Sequence, residues 1–323
     1  MKKENLYTYT IYSEVDKHRE NIKKIKLIAT VLIILVTIVL IIITRNIQVN
    51  IQTSEESASI AIMQTQVEEK NLKKEEEKQK ILAEEIAKTI KKEQEEAERK
   101  SKTPQLTEVG KEKLENIYHS DTKVAYLTFD DGPSNVTHQI LDTLKNENVK
   151  ATFFMLGSNV ETFPETTKRV YDEGHYIANH GYTHMYSSIY SSPQAVLDEY
   201  NRCNTAVQNA IGNPEYNSHL FRFPGGLPGG KYEDIKQEAK QLLNENGILN
   251  IDWNALTGDA ETQHPEEEKL MEELQQTIED KNSVVILMHD TDAKKVTADM
   301  LPRVIAYLKE QGYEFKTFYD IIM

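Results

Sequence analysis

Val124-Ala125-Tyr126-Leu127-Thr128-Phe129-Asp130-Asp131-Gly132-Pro133-Ser134 is an apolar, aromatic and β-branched run that stops at two carboxylates, a turn dipeptide and a helix-capping serine. A short run of this kind between turn signals reads as a buried strand. Ser134 is placed to cap a helix running toward Lys145. A second run, Ala151 to Leu156, follows that helix, and Ser192-Pro193 opens another helix that Gly212 closes. Further runs at Gly247 to Ile251 and Ser283 to Met288, a helix around Asp299 to Lys309 and a last segment at Phe315 to Tyr319 continue the alternation. Strands separated by helices predict a mainly parallel α/β sheet or barrel. Polar residues gather where strands end, at Asp130/Asp131 and His289/Asp290, the edge at which parallel barrels carry chemistry.

Upstream of this domain the chain changes character twice. From Leu27 to Thr44 no residue is charged and almost all are Ile, Leu or Val, close to the ~20 residues needed to cross a bilayer. Arg45-Asn46-Ile47-Gln48 follows instead of the small residues of a cleavage site, so the run reads as an uncleaved anchor. Basic residues crowd the first 26 positions, which places residues 1–26 in the cytoplasm, 27–44 in the membrane and the remainder outside. Residues 45–106 read as a charged helical stalk: between 66 and 100 there is no Gly or Pro, and Glu precedes Lys or Arg by four at 69/73, 84/88, 95/99 and 96/100. Its apolar positions keep no steady heptad, which favours a single solvated helix over a coiled coil, and Pro104 marks its end.

The domain itself, residues 107–323, carries 19 Lys+Arg against 35 Asp+Glu, a balance that repels phosphate backbones and argues against nucleic acid as a partner. Cys203 is the single cysteine, so no intrachain disulfide can form, and it reads as a small buried residue. The stretch Gly225 to Lys231 spells a phosphate loop except at its last position, where Tyr232 stands in place of the required Ser or Thr.

About fifty residues beyond the tandem carboxylates lies His180-Gly181-Tyr182-Thr183-His184. Two histidines four apart with one carboxylate form a three-ligand zinc set with an open position, and the spare carboxylate is a candidate base. His138, His175, His219 and His264 have no such partners and read as structural or exposed.

Taken in order, Thr128 to Pro133, His180/His184, Arg222-Phe223-Pro224, Asp259 and Leu287-Met288-His289 resemble the five motifs of the NodB-type polysaccharide deacetylases, carbohydrate esterase family four, over roughly residues 120–323. The resemblance implies a distorted (β/α) barrel and hydrolysis of an acetyl group from an N-acetylated sugar. It makes Asp131, His180 and His184 the ligands of a divalent metal, Zn²⁺ or another such as Co²⁺, and Asp130 the base. Arg222 would pair with Asp130 and keep it ionised and aimed. His289 would be the acid, with Asp259 orienting it and raising its pKa. The N–H of Gly225 would help to stabilise the oxyanion, while Leu287 and Trp253 are candidates for the acetyl pocket and groove wall, or for plain core.

Three positions depart from the family pattern. Gly181 replaces a loop-fixing Ser or Thr, so a softer metal loop is expected; Gly225 replaces an aromatic that would contact sugar; Ala260 replaces a Trp. An enzyme tethered outside a bilayer meets peptidoglycan, so N-acetylglucosamine of the cell-wall glycan is the expected substrate. N-acetylmuramic acid, chitin fragments or O-acetylated xylan are alternatives, as is an inactive carbohydrate-binding scaffold.

Overall fold

The computed structural model describes residues 28, 32–38, 55–261 and 266–322. They fall into two compact units, Met1–Ala87 and Lys88–Met323. In the first, positions 28 and 32–38 are helical, with exposed side chains that are apolar except at Thr37. The rest of the expected membrane span, 27–44, lies outside the described residues. Among the described residues no helix is long and apolar enough to cross a membrane. The charged segment forms α1, Glu55–Ser101, 47 residues without interruption. Of the four Glu-to-basic pairs read from spacing, Glu69–Lys73 and Glu96–Lys100 close at 3.0 Å, while Glu95 turns to Lys91 at 3.7 Å.

Eight strands, all paired in parallel, make the sheet of the second unit: β1 Val124–Asp130, β2 Thr152–Met155, β3 Tyr176–Asn179, β4 Leu220–Phe221, β5 Leu249–Asn250, β6 Ala255–Leu256, β7 Ser283–His289 and β8 Glu314–Phe315. Their order is β5-β4-β3-β2-β1-β7-β6, with β8 joining β1 at its start. No pairing joins β5 to β6 among the described residues, so the barrel is incomplete, which is the distortion the family resemblance implies. The Phe315–Tyr319 segment is a strand only at Glu314–Phe315 and turns helical at Tyr319, after Asp320 accepts from the Thr317 N–H.

Alternation along β1 and β7 decides what reaches the site. Ala125, Leu127 and Phe129, with Val284, Ile286 and Met288, join the large core between sheet and outer helices. Val124, Tyr126 and Val285 join an inner cluster on the opposite face. Because side chains alternate with period two, Thr128, Asp130, Leu287 and His289 share that inner face. Register then sets Asp130 beside His289 and Thr128 beside Leu287.

The helices follow their local signals. Ser134 caps Asn135–Asn146 in a capping box with Thr137. Ser192 caps Pro193–Ile211, which ends at Gly212 with φ 69°. The helix expected around Asp299 begins earlier, at Lys295, and runs to Glu310. Two helices not singled out from sequence, Glu233–Glu245 and Glu267–Ile278, bury narrow stripes (Ala239 and Leu243; Leu270, Leu274 and Ile278) under otherwise polar surfaces. Within the second unit the end of α1 packs on the domain. Thr103 is buried and accepts from Asn213 Nδ2 at 2.8 Å, Lys102 Nζ donates to the Asp172 carbonyl, and Tyr319 Oη donates to the Lys102 carbonyl.

Candidate active site

Asp130 ends β1 and Asp131 lies just past it with φ 73°. This left-handed turn, uncommon for a residue other than glycine, swings the second carboxylate back toward the first. Strand alternation would have sent them to opposite faces. The turn needs Gly132, because a side chain there would run into the Asp290 carboxylate. Asp290 is fully buried, accepts from Thr137 Oγ1 at 2.6 Å, and burial pushes it up to about 7.

Arg222 is fully buried and holds Asp130 from behind. Nη1 donates to Asp130 Oδ1 and to Thr128 Oγ1, each at 2.8 Å; Nε and Nη2 donate to the carbonyls of Ile251 and Asp252 at 3.0 Å. The guanidinium lies 3.9 Å from the centre of the Phe154 ring. Burial nevertheless raises the Asp130 pKa above the usual carboxylate range, with the charges of Arg222 and His289 opposing the rise. Arg222 therefore aims Asp130 as expected, and its charge offsets part of the cost that desolvation imposes on the carboxylate.

Asp131, His180 and His184 bring their ligand atoms within 4.8 Å of one another. Asp131 Oδ1 is 3.4 Å from His180 Nε2 and 3.3 Å from His184 Nε2. His180 Nδ1 lies 2.7 Å from the Arg222 carbonyl, an acceptor only, so Nδ1 carries the proton and Nε2 is bare. Burial also lowers the His180 pKa to about 3. A bare imidazole nitrogen thus faces a buried carboxylate oxygen that has no hydrogen-bond partner among the described residues. Two lone pairs held this close call for a cation between them. One oxygen and two nitrogens with an open side fit Zn²⁺ or a similar divalent ion.

The His180–His184 loop is held by a residue that spacing did not single out. Glu199, buried on the helix Pro193–Ile211, accepts from the N–H groups of Tyr182 and Thr183 at 2.7 Å through Oε2, and from Thr183 Oγ1 at 2.9 Å through Oε1. Where Gly181 leaves the loop without a fixing hydroxyl, a carboxylate clamps the backbone from outside. Gly181 and His184 both sit at positive φ, 87° and 57°. The signal in sequence was only a Glu on the inward stripe of a helix, where an acidic residue must find donors.

Across the site, His289 Nδ1 donates to Asp259 Oδ1 at 2.8 Å and the His289 N–H donates to Oδ2 at 2.8 Å. Thr297 Oγ1 completes the carboxylate at 2.7 Å. Burial by itself would lower the His289 pKa, but the Asp259 hydrogen bond and charge, with Asp130 and Asp131, raise it to about 9. Nε2 is left to carry an exchangeable proton.

Gly225 and Gly226 form a ledge with φ 78° and 77°. It is pinned on three sides: Tyr190 Oη donates to the Pro224 carbonyl, Lys236 Nζ to the Gly226 carbonyl, each at 2.7 Å, and the Leu227 N–H to Asp252. The Gly225 N–H makes no hydrogen bond among the described residues. Trp253 packs over Gly226, where a Cβ would stand 3.0 Å from its ring, and its other side leans on the inner cluster. It serves as wall and core together. Leu287 belongs to none of the three core clusters and stays 9% exposed, an apolar wall two residue pairs below Asp130 and His289. His138, His175 and His219 bond to Thr166, the Ala151 N–H and the Gly247 carbonyl away from this cluster, and His264 lies outside the described residues. Cys203 is buried.

Comparison with known proteins agrees with this geometry. Residues 118–248 match the family model described as polysaccharide deacetylase. A peptidoglycan-N-acetylglucosamine deacetylase of Bacillus cereus is 32% identical over 238 residues, covering 72% of this chain and 83% of that protein. Among solved structures, a Streptococcus mutans CE4 esterase superposes with TM-score 0.59 at 30% identity, covering 67% of this chain and 96% of the other. The catalytic domain of a peptidoglycan N-acetylglucosamine deacetylase from Eubacterium rectale gives TM-score 0.56 at 31% identity, covering 62% and 90%. With this likeness and the site assembled from all five motifs, the chain belongs to the NodB-type polysaccharide deacetylases, carbohydrate esterase family four, and is a hydrolase acting on acetamido sugars.

Proposed function

We propose that this protein is a metal-dependent deacetylase of N-acetylglucosamine in peptidoglycan, anchored by residues 27–44 with its domain outside the cell. The observation that carries the reading is the orphaned Asp131 oxygen facing two imidazole nitrogens, with the Asp130–Arg222 and His289–Asp259 pairs on adjoining strand ends. The substrate follows from relatives described as acting on that sugar and from the apolar run behind a basic N-terminus.

Asp131, His180 and His184 would hold the ion, which supplies Lewis acidity to polarise the acetyl carbonyl and acidify water. Asp130 accepts the proton of the attacking water, and Arg222 holds its other oxygen so that the acceptor lone pair stays aimed into the pocket. The Gly225 N–H donates to the oxygen that becomes negative as the carbonyl carbon turns tetrahedral. His289 then gives its Nε2 proton to the departing nitrogen, so that an amine leaves as acetate forms. Asp259 keeps that imidazole charged until it is needed. Leu287 offers an apolar surface for the acetyl methyl.

The test is mass spectrometry of muramidase-released wall fragments treated with purified, Zn²⁺-loaded full-length protein. Loss of one acetyl mass on glucosamine, abolished by chelation and restored by Zn²⁺ or Co²⁺, is the expected result. Loss on muramic acid, or activity on free chitin oligomers alone, would move the substrate assignment. Unchanged fragments and unchanged oligomers would leave the inactive scaffold.

A further inference from the structure

The ledge at Gly225 lacks a side chain, yet the space beside it is filled. A Cβ built on Gly225 would stand 2.5 Å from the hydroxyl oxygen of Tyr186 and 3.3 Å from the ring carbon that bears it. Tyr186 comes from a different part of the chain, two residues beyond His184, and its ring centre lies 5.6 Å from the His184 ring. It remains 42% exposed, so the ring is a wall of the pocket mouth and no part of the core. Its far edge packs on Tyr190, at 5.6 Å and 69°, and Tyr190 is itself tied to the Pro224 carbonyl. The ring is therefore braced against the ledge it overhangs, while its hydroxyl makes no hydrogen bond among the described residues.

A braced, half-exposed phenol with an uncommitted O–H at the mouth of a metal pocket is built to meet a ligand, because tyrosine brings an apolar face and a polar tip with little rotamer entropy to lose. The Tyr186 ring and a side chain at position 225 exclude each other sterically, so the pocket has room for one aromatic at this corner, supplied here from the His184 side. We infer that Tyr186 is a substrate-positioning residue: its hydroxyl donates to a hydroxyl oxygen of the N-acetylated sugar unit seated over Gly225, and its ring lies against that unit's apolar face. This rests on the deacetylase reading above and adds to it the residue that holds the sugar.

A contact made equally in ground and transition states moves KM and leaves kcat alone. For the metal-loaded full-length protein acting on a β-1,4-linked N-acetylglucosamine tetramer, Tyr186→Phe should raise KM about tenfold, the worth of roughly one hydrogen bond, with kcat close to wild type. Tyr186→Ala should raise KM further, because the ring contact goes too. Trp253, the single tryptophan, lies on the other side of the ledge and reports binding directly. In an Asp130→Asn background, where turnover is too slow to consume the tetramer during a titration, its fluorescence should give a Kd shifted by the same factor. Unchanged KM and Kd in both variants, a fall in kcat at constant KM, or loss of metal from Tyr186→Phe would each overturn the assignment. Absence of binding and hydrolysis of both the tetramer and the wall fragments in the protein with Tyr186 intact would instead sink the parent reading, and this inference with it.

Discussion

At Asp130 and His289, neighbours across two parallel strands, the protein arranges two proton carriers with unlike surroundings. Asp130 is desolvated but gripped by Arg222; His289 is desolvated but charged by Asp259. Neither supplies a ligand atom to the Asp131–His180–His184 cluster. Asp130→Asn and His289→Asn should therefore each keep the metal, measured by elemental analysis, while kcat falls by about 10²–10⁴. The Asp259 pair predicts more. Because His289 must be protonated to act and its pKa stands at about 9, the basic limb of the kcat/KM profile should lie near that pH. Asp259→Asn should move the limb downward, since burial is then opposed by less negative charge. A limb that ignores this substitution would assign the acid elsewhere. The sign for stability is the same: with a folded pKa above 6.5, the pair's contribution is full below about 6.5 and is lost as pH rises through about 9.

The metal loop is a short element with little structure of its own, fixed by what packs behind it. Residues 181 to 184 include two positive-φ positions, and three hydrogen bonds to Glu199 hold the stretch in place. Glu199→Ala removes both acceptor oxygens, and with them all three hydrogen bonds, and leaves the N–H groups of Tyr182 and Thr183 to find other acceptors. Residues that orient ligands in this way usually change metal affinity by about 10–100-fold when lost. A chelator competition assay on Glu199→Ala should show a loss of that size, while Glu199→Gln, which keeps one acceptor oxygen, should lose less. Equal affinity in all three proteins would mean that the loop holds itself.

On the scale of the molecule, the charged helix is more than a spacer, because its last turn belongs to the compact unit that starts at Lys88. The buried Thr103–Asn213 hydrogen bond and the two contacts of Lys102 are lost if the chain is started at Thr107. Losing one buried and two partly exposed bonds costs about 2 kcal/mol. A fragment of residues 107–323 should thus melt roughly 4–8 °C below one of residues 88–323, as calorimetry would read. The proposed anchor makes its own prediction. The full-length chain should sediment with membranes, and protease added outside intact protoplasts should digest the domain. A mature form released into the medium and beginning near residue 46 would remove the anchor.

Much of this was legible along the chain because it is local physics. The strands β1, β2 and β7, the caps at Ser134 and Ser192, the stop at Gly212 and the ligand spacing of His180 and His184 depend on side-chain period, capping chemistry and residue type, all of which act over a few positions. Short or polar elements were harder: β3, β4 and β6 are two to four residues long, and the helices at Glu233 and Glu267 show only narrow apolar stripes. The family resemblance supplied roles to Asp259 and Gly225 that spacing could not. Tertiary structure alone decided that Asp131 turns back through a left-handed conformation to meet Asp130, that desolvation lifts the Asp130 pKa against Arg222, and that Glu199 does the fixing which a hydroxyl at 181 would do. It alone put Tyr186 into the space that Gly225 leaves open. The turn at Asp131 rests on Gly132 packing against the distant Asp290; the others join residues distant in sequence or depend on how much water a folded pocket excludes, and neither distance in space nor loss of solvent is written in the order of residues.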